Sequence, residues 1–419
     1  MWSQNVEHII ASFPSRGIFL TGIESSDPWV SNNRRNQLVE AHNFHEHWEK
    51  RIENIYDLGI RWLRFGPPYS QTHVGKDVYD FSLTEKVLAK CKELGIEVMV
   101  DLLHFGLPEW LHENNPHETF FQNNGFPIEY AVYVGHFVRN FPHIKYFTLI
   151  NEPFVTANFS TKFGIWNEGH RSAWNEDKLF MNAIKNIARA AILAKEEIER
   201  IWEKDNKEGQ PIFIQNESFE VAIAEDTAGH RMPEVNAFNL RRFAALDLIF
   251  GHRDETMKAY MNQHNLPDID YEWCMEHGNT RNTVLGIDHY PTNIHRYKEK
   301  IIVDERHDAP FRLADLVVIY WDRYHLPMLH TETNAWPDHA LDMCKKTYEV
   351  INTLRELGYP VLGMGWYGDE YMVGWHYALH GPLSHEESPT GLFYKGEIQP
   401  VGTLFGSLAK KGFDPMIGA

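Results

Sequence analysis

The feature that most limits how this chain folds is its rhythm. Eight short apolar, β-branched runs alternate with longer amphipathic stretches along almost the whole sequence. The runs lie at 17–23, 60–65, 96–104, 144–150, 211–216, 283–290, 327–332 and 360–366, and the helical patterns between them at 44–58, 83–94, 128–140, 178–201, 238–250, 313–324 and 338–357. A crossover helix returns the chain to the end it left, so strands joined in this way pair in parallel. Leu94-Gly95 and Leu357-Gly358 read as helix C-caps, where glycine takes the left-handed conformation at little cost.

Two architectures satisfy eight such repeats, an open doubly wound sheet and a closed (β/α)8 barrel. The open sheet calls for a glycine-rich phosphate loop after an early strand. Here Gly22 runs into Ile-Glu-Ser-Ser-Asp-Pro, with neither GxGxxG nor GxxxxGK[ST]. Polar and aromatic residues gather instead after nearly every run, where a barrel builds its active site. The sequence therefore predicts an α/β fold, a single (β/α)8 TIM barrel spanning residues 1–419 as one catalytic domain. The longer connections at 24–43, 104–127, 153–177, 217–236 and 368–400 each follow a strand and form the rim. The last of them is long enough to need short hairpins of its own.

Charge and cysteine content narrow the partners. Lys and Arg total 40 against 58 Asp and Glu, a net charge of −18, which argues against nucleic acid and anionic membranes. No stretch approaches 18 uncharged apolar residues, and the N-terminus lacks the basic and apolar segments of a signal peptide. Three cysteines (Cys91, Cys274 and Cys344), without metal-type spacing, fit reduced thiols in a cytoplasmic protein. His42, His45 and His47 lie close in sequence, with Glu49 a helical turn from His45. Their place at the start of the first crossover helix suits a solvated or capping role better than a metal site.

Two carboxylates stand out at the strand ends. Glu152 closes the fourth run in Lys-Tyr-Phe-Thr-Leu-Ile-Asn-Glu-Pro, and Glu332 closes the seventh in Pro-Met-Leu-His-Thr-Glu-Thr-Asn. Strands four and seven lie on opposite sides of a barrel mouth, so the two side chains are able to face each other. Cleaving a glycosidic bond needs such a pair, one group to protonate the leaving oxygen and one to attack or to activate water. Asn216 and Glu217, at the end of the fifth run, are expected to face the mouth without an evident role.

These motifs resemble those of glycoside hydrolase family 1, the β-glucosidase family. The resemblance implies Glu152 as acid/base, Asn151 as the holder of the sugar 2-hydroxyl, and Glu332 as nucleophile. Leu-Leu-His104-Phe-Gly-Leu-Pro is similar to the family's His-Trp-Asp-Leu-Pro stretch and implies that His104 binds the glycone. Arg64 matches the strand-two arginine that supports the nucleophile. Leu-Gly-Ile-Asp288-His289-Tyr290 resembles Leu-Gly-Ile-Asn-Tyr-Tyr and puts Tyr290 against the nucleophile. Trp366 falls where strand eight presents a tryptophan under the sugar. What this implies is a retaining β-glycosidase, β-glucosidase-like, that needs no cofactor or metal and takes a small glycoside or oligosaccharide.

The departures fall on the sugar-reading segments. Thr-Glu-Asn-Gly becomes Thr331-Glu332-Thr333-Asn334, and the Gln-Ile-Glu-Gly after strand one is replaced by the region of Glu24. After strand eight stands Trp366-Tyr-Gly-Asp369-Glu370-Tyr-Met-Val-Gly-Trp375. Glu24, Asp369, Glu370 and Trp375 are therefore the candidate readers of distal hydroxyls in a divergent member. Two rivals remain at this point, a carbohydrate-binding pseudoenzyme on the same barrel and a metal-dependent barrel hydrolase. The sugar, the leaving group and the oligomeric state stay open.

Overall fold

The computed structural model describes residues 2–30, 42–113, 120–167, 176–205, 207–225, 229–297, 301–303, 309–375 and 386–416. Eight strands close into one parallel barrel: β1 (Ile18–Ile23), β2 (Trp62–Phe65), β3 (Glu97–Asp101), β4 (Tyr146–Thr148), β5 (Ile212–Ser218), β6 (Thr283–Asp288), β7 (Met328–Glu332) and β8 (Val361–Tyr367). Each strand pairs with its neighbours in sequence. β1 completes the ring against β8, with Leu20 opposite Gly365 and Gly22 opposite Tyr367.

The strands read as continuous apolar runs because both of their faces are covered. Inside the barrel Leu20, Trp62, Met99, Ile214, Val284, Leu329 and Leu362 fill the lower layers. Helix α1 (Gln4–Ala11) joins this inner cluster through Ile9, with Phe13 just beyond it stacked on Trp62. It thus plugs the end of the barrel opposite the mouth. A much larger apolar layer lies between the strands and the outer helices.

The crossover helices are α2 (Phe44–Asp57), α3 (Ser82–Leu94), α4 (Phe126–Asn140), α6 (Glu176–Lys204), α11 (Ala309–Tyr324) and α12 (Pro337–Glu356), with α13 (Pro400–Lys411) after β8. A five-residue helix α5 (Pro153–Ala157) follows β4 directly, and between β5 and β6 run α7 (Met232–Arg241), α8 (Ala244–Phe250), α9 (Glu255–Gln263) and α10 (Asp268–His277). The pattern read as one helix over 238–250 is two, broken at Arg242-Phe243. Gly95 ends α3 with φ +67°, and Gly358 lies just past α12 with φ +86°. The 368–400 connection holds two small hairpins, Met372–Val373 with Glu387–Ser388 and Phe393–Tyr394 with Glu397–Ile398.

Candidate active site

The mouth of the barrel is organised around Arg64 on β2, which is 1% exposed. Its Nη1 donates to Glu332 Oε1, and its Nη2 donates to Asp101 Oδ2 at 2.8 Å and Asn151 Oδ1 at 2.6 Å. A buried guanidinium demands acceptors, and three strand ends supply them. Glu332, the last residue of β7, receives a second donor on its other oxygen: Tyr290 OH, 2.6 Å from Oε2. Both carboxylate oxygens of Glu332 are thus held.

Beside it a second chain begins at Asp101, the last residue of β3. Asp101 Oδ2 also lies 2.7 Å from His104 Nδ1, and His104 Nε2 lies 3.1 Å from Asn151 Nδ2. Arg64 fixes the orientation of the Asn151 amide by taking its oxygen. Arg64, Asp101, His104 and Asn151 therefore form one buried network. Asp101 is not marked by the sequence, because Leu102 and Leu103 carry the apolar run past it, and only the structure ends the strand there.

Glu152 stands in a different setting. It is buried and immediately precedes α5, with its backbone in the left-handed region at φ +40° and ψ +66°. That conformation is uncommon for a residue with a Cβ. No side-chain or backbone donor reaches its carboxyl among the described residues. Burial pushes its proton affinity well above the usual carboxylate range, and the charges of Asp288, Glu332, Glu217 and Glu220 add to this. Asp288, where the resembled family carries asparagine, is wholly buried beneath this pair. It accepts from Thr331 Oγ1 at 2.6 Å and from Asn216 Nδ2 at 3.1 and 3.2 Å, and Asn216 is itself held by Thr148 Oγ1 at 2.9 Å. Burial, and then the neighbouring Glu332, push Asp288 up to about 8.

The remaining candidates divide. Glu24 and Trp375 meet on the rim, with Trp375 Nε1 donating to Glu24 Oε2 at 3.2 Å. Glu24 Oε1 takes the Ser26 N–H at 2.8 Å and lies 4.0 Å from His104 Nε2. Trp375 packs on Phe105 and Trp166, which gives this side of the mouth an aromatic wall.

Trp366, Asp369 and Glu370 point elsewhere. Trp366 is fully buried in the layer between strands and helices, its Nε1 donating to Thr390 O at 2.9 Å. The neighbouring Tyr367 takes the inward place. A register shift opposite Met328 and His330 reverses the alternation of β8, so that Leu362 faces in, Trp366 faces out and Tyr367 faces in. The Tyr367 ring lies 5.7 Å from the Arg64 guanidinium and 6.1 Å from the His104 ring. It fits because residue 22 is glycine: a Cβ there would come within 2.0 Å of the ring.

Asp369 is 1% exposed and committed to Arg51 of α2 through bonds of 2.7 and 2.5 Å. Glu370 Oε1 accepts from Gly396 N at 2.9 Å, in the hairpin outside the mouth. Both oxygens of Asp369 are thus taken by Arg51, whereas the buried Oε2 of Glu370 meets no partner among the described residues. Of the β5 end, Asn216 faces the barrel interior as expected, whereas Glu217 turns outward to the backbone after Glu152. His45 and His47 are exposed, but His42 is buried and stacked on Tyr371, so a solvated role fits only the first two. Among the described residues no three His, Cys, Asp or Glu side chains converge in a way that would hold a metal ion.

The fold is similar to that of a β-glucosidase from Thermotoga maritima. The structure of that enzyme in complex with glucoimidazole matches with a TM-score of 0.78 at 16% identity, over 96% of this chain and 99% of that one. Its complex with deoxynojirimycin matches with a TM-score of 0.77 at 15% identity, with the same coverage. At such identity the likeness speaks for the barrel alone. The sequence goes further, because residues 47–352 match the model of glycosyl hydrolase family 1. With the carboxylates, the arginine and the tyrosine brought together at one barrel mouth, the chain is a glycoside hydrolase and belongs to glycosyl hydrolase family 1.

Proposed function

We propose that the protein is a retaining β-glycosidase acting on small β-glycosides or oligosaccharides, with Glu332 as nucleophile and Glu152 as acid/base. The observation that carries this reading is the asymmetry of the two glutamates. Glu332 is held on both oxygens by Arg64 and Tyr290, which aim its carboxylate as a nucleophile must be aimed. Glu152 has burial and four acidic neighbours favouring its protonated form. In the first step Glu152 gives its proton to the glycosidic oxygen as the C1–O bond breaks, and a Glu332 oxygen bonds to C1. In the second, Glu152 takes a proton from water, the water oxygen bonds to C1, and the bond to Glu332 breaks. An acceptor hydroxyl in place of water would give transglycosylation with the same residues.

The reading assigns the glycone to the Asp101–His104–Asn151 network, Glu24, Trp375 and Tyr367. Asp369 drops out because both of its oxygens bind Arg51, and Glu370, with one oxygen unpartnered, stays a candidate reader of a distal hydroxyl. A glucoside is the first substrate to try, since the similarly folded Thermotoga maritima enzyme is a β-glucosidase. Trapping tests the assignment. A 2,4-dinitrophenyl 2-deoxy-2-fluoro-β-glycoside should leave a covalent sugar on the peptide containing Glu332. A label on any other carboxylate, or turnover that never passes through a labelled species, contradicts it.

A further inference from the structure

The Glu152 carboxyl meets no donor among the described residues, and side chains of β5 reach the backbone on either side of it. Gln215 Nε2 donates to Ile150 O at 3.0 Å, just before Asn151-Glu152. Both oxygens of Glu217 lie 3.2 Å from the Phe154 N–H, just after them, and Glu217 Oε1 also takes the Ser218 N–H at 3.0 Å. Pro153 has no N–H, so Phe154 carries the first donor available beyond Glu152. The two side chains lie two residues apart on one face of β5 and grip the chain on either side of a residue at φ +40°. Thr156 completes the turn, its N–H donating to Glu152 O at 2.9 Å and its hydroxyl to Asn151 O at 3.1 Å.

We infer that Glu217 is a positioning residue for the acid/base: with Gln215 it clamps the Asn151–Phe154 backbone so that Glu152 is presented to the leaving group. The inference rests on the proposed role of Glu152. A buried acid is a costly way to hold two backbone amides if only packing were at stake. Glu217 is fully buried, and Glu220, Asp288, Glu152 and the Tyr320 hydroxyl are the titratable groups facing it. Burial pushes Glu217 itself well above the usual carboxylate range, so its part is to hold the backbone just beyond Glu152.

The test compares leaving groups. E217A and E217D are assayed on 2,4-dinitrophenyl and phenyl β-glucosides, or the same pair with a galactose or fucose glycone where that is cleaved faster, with E152Q alongside. A dinitrophenolate leaves without a proton and a phenolate does not. Misplacing the acid should lower kcat/KM for the phenyl glycoside by about 10- to 100-fold and leave the dinitrophenyl glycoside nearly unchanged. E217Q, which keeps an oxygen towards Phe154, should retain most of the phenyl glycoside activity. E217D withdraws the acceptor by one methylene and keeps the carboxyl group, so it carries the comparison if E217A fails to fold. Equal losses on both substrates, or no loss on either, overturn the role of Glu217 when E152Q itself discriminates between them. If E152Q does not discriminate, the assignment of Glu152 as acid is what fails.

Discussion

Replacing Tyr290 by phenylalanine removes a single oxygen from the site, and the structure sets the size of the effect. That hydroxyl donates to Glu332 Oε2 at 2.6 Å, while Arg64 holds Oε1. Without it one oxygen of a buried carboxylate loses its donor, and the group is free to turn about its bond to Cγ. A hydrogen bond to a charged group contributes about 1.5–3 kcal/mol. If all of it is lost from the transition state, kcat/KM should fall by about 10- to 150-fold. The ring itself keeps its place, so the melting temperature should stay close to that of the parent. The assay is kcat/KM on a dinitrophenyl β-glycoside, whose leaving group needs no proton, together with the rate of inactivation by the corresponding 2-fluoro sugar. Both report the attack of Glu332 and should slow by the same factor. An unchanged rate in a folded variant, or a loss confined to poor leaving groups, would refute the argument that Tyr290 serves the nucleophile.

Three further outcomes follow from the same geometry. Asp288, pushed up to about 8, takes on its charge only as the pH rises towards that value, and there the charge favours the proton on Glu152; in Asp288→Asn a basic limb lying near pH 8 should therefore move to lower pH, and a limb that stays put or rises would show that Asp288 does not act on Glu152. Gly22→Ala drives a methyl into the Tyr367 ring and should weaken glycone binding, read as a raised KM or loss of a bound sugar-mimetic inhibitor in calorimetry, whereas parent-like binding would remove Tyr367 from the site. His330 and His42 are each pushed down to about 3, chiefly by burial, so the unfolded chain takes up their protons near pH 6.5 while the folded one refuses them until far lower. Their stabilising effect is complete above about pH 6.5 and is lost as pH falls towards 3; the melting temperature should drop over that interval, more shallowly in His330→Leu, and an identical slope in that variant would contradict the assignment.

The barrel was legible because its signal is distributed: eight apolar runs, each repeating the same constraint, do not depend on any one boundary. Boundaries were less secure. The run at 96–104 gives a strand that stops at Asp101, and His104 stands on the loop beyond it. Helix α13 was not read because Gly402 and Gly406 interrupt its apolar stripe, yet both glycines face the core. The meeting of Arg64, Tyr290 and Glu332 at the barrel mouth was legible too, since all three close or follow apolar runs. What sequence did not show is which way side chains turn after an irregularity. The shift in β8 exchanged Trp366 for Tyr367. Asp369 and Glu217 were hidden for another reason: their partners, Arg51 and Phe154, are set by folding across the chain and by no local pattern.

The central claim is that Glu332 attacks the anomeric carbon while Glu152 handles the proton. Glu332→Gly opens a space on the attacking side and leaves Glu152 in place. Supplied with azide and an aryl β-glycoside, this variant should yield the α-glycosyl azide, because the anion enters where the carboxylate stood. A β-glycosyl azide would mean attack from the Glu152 side, and undiminished hydrolysis by the folded variant without azide would contradict the catalytic pair altogether.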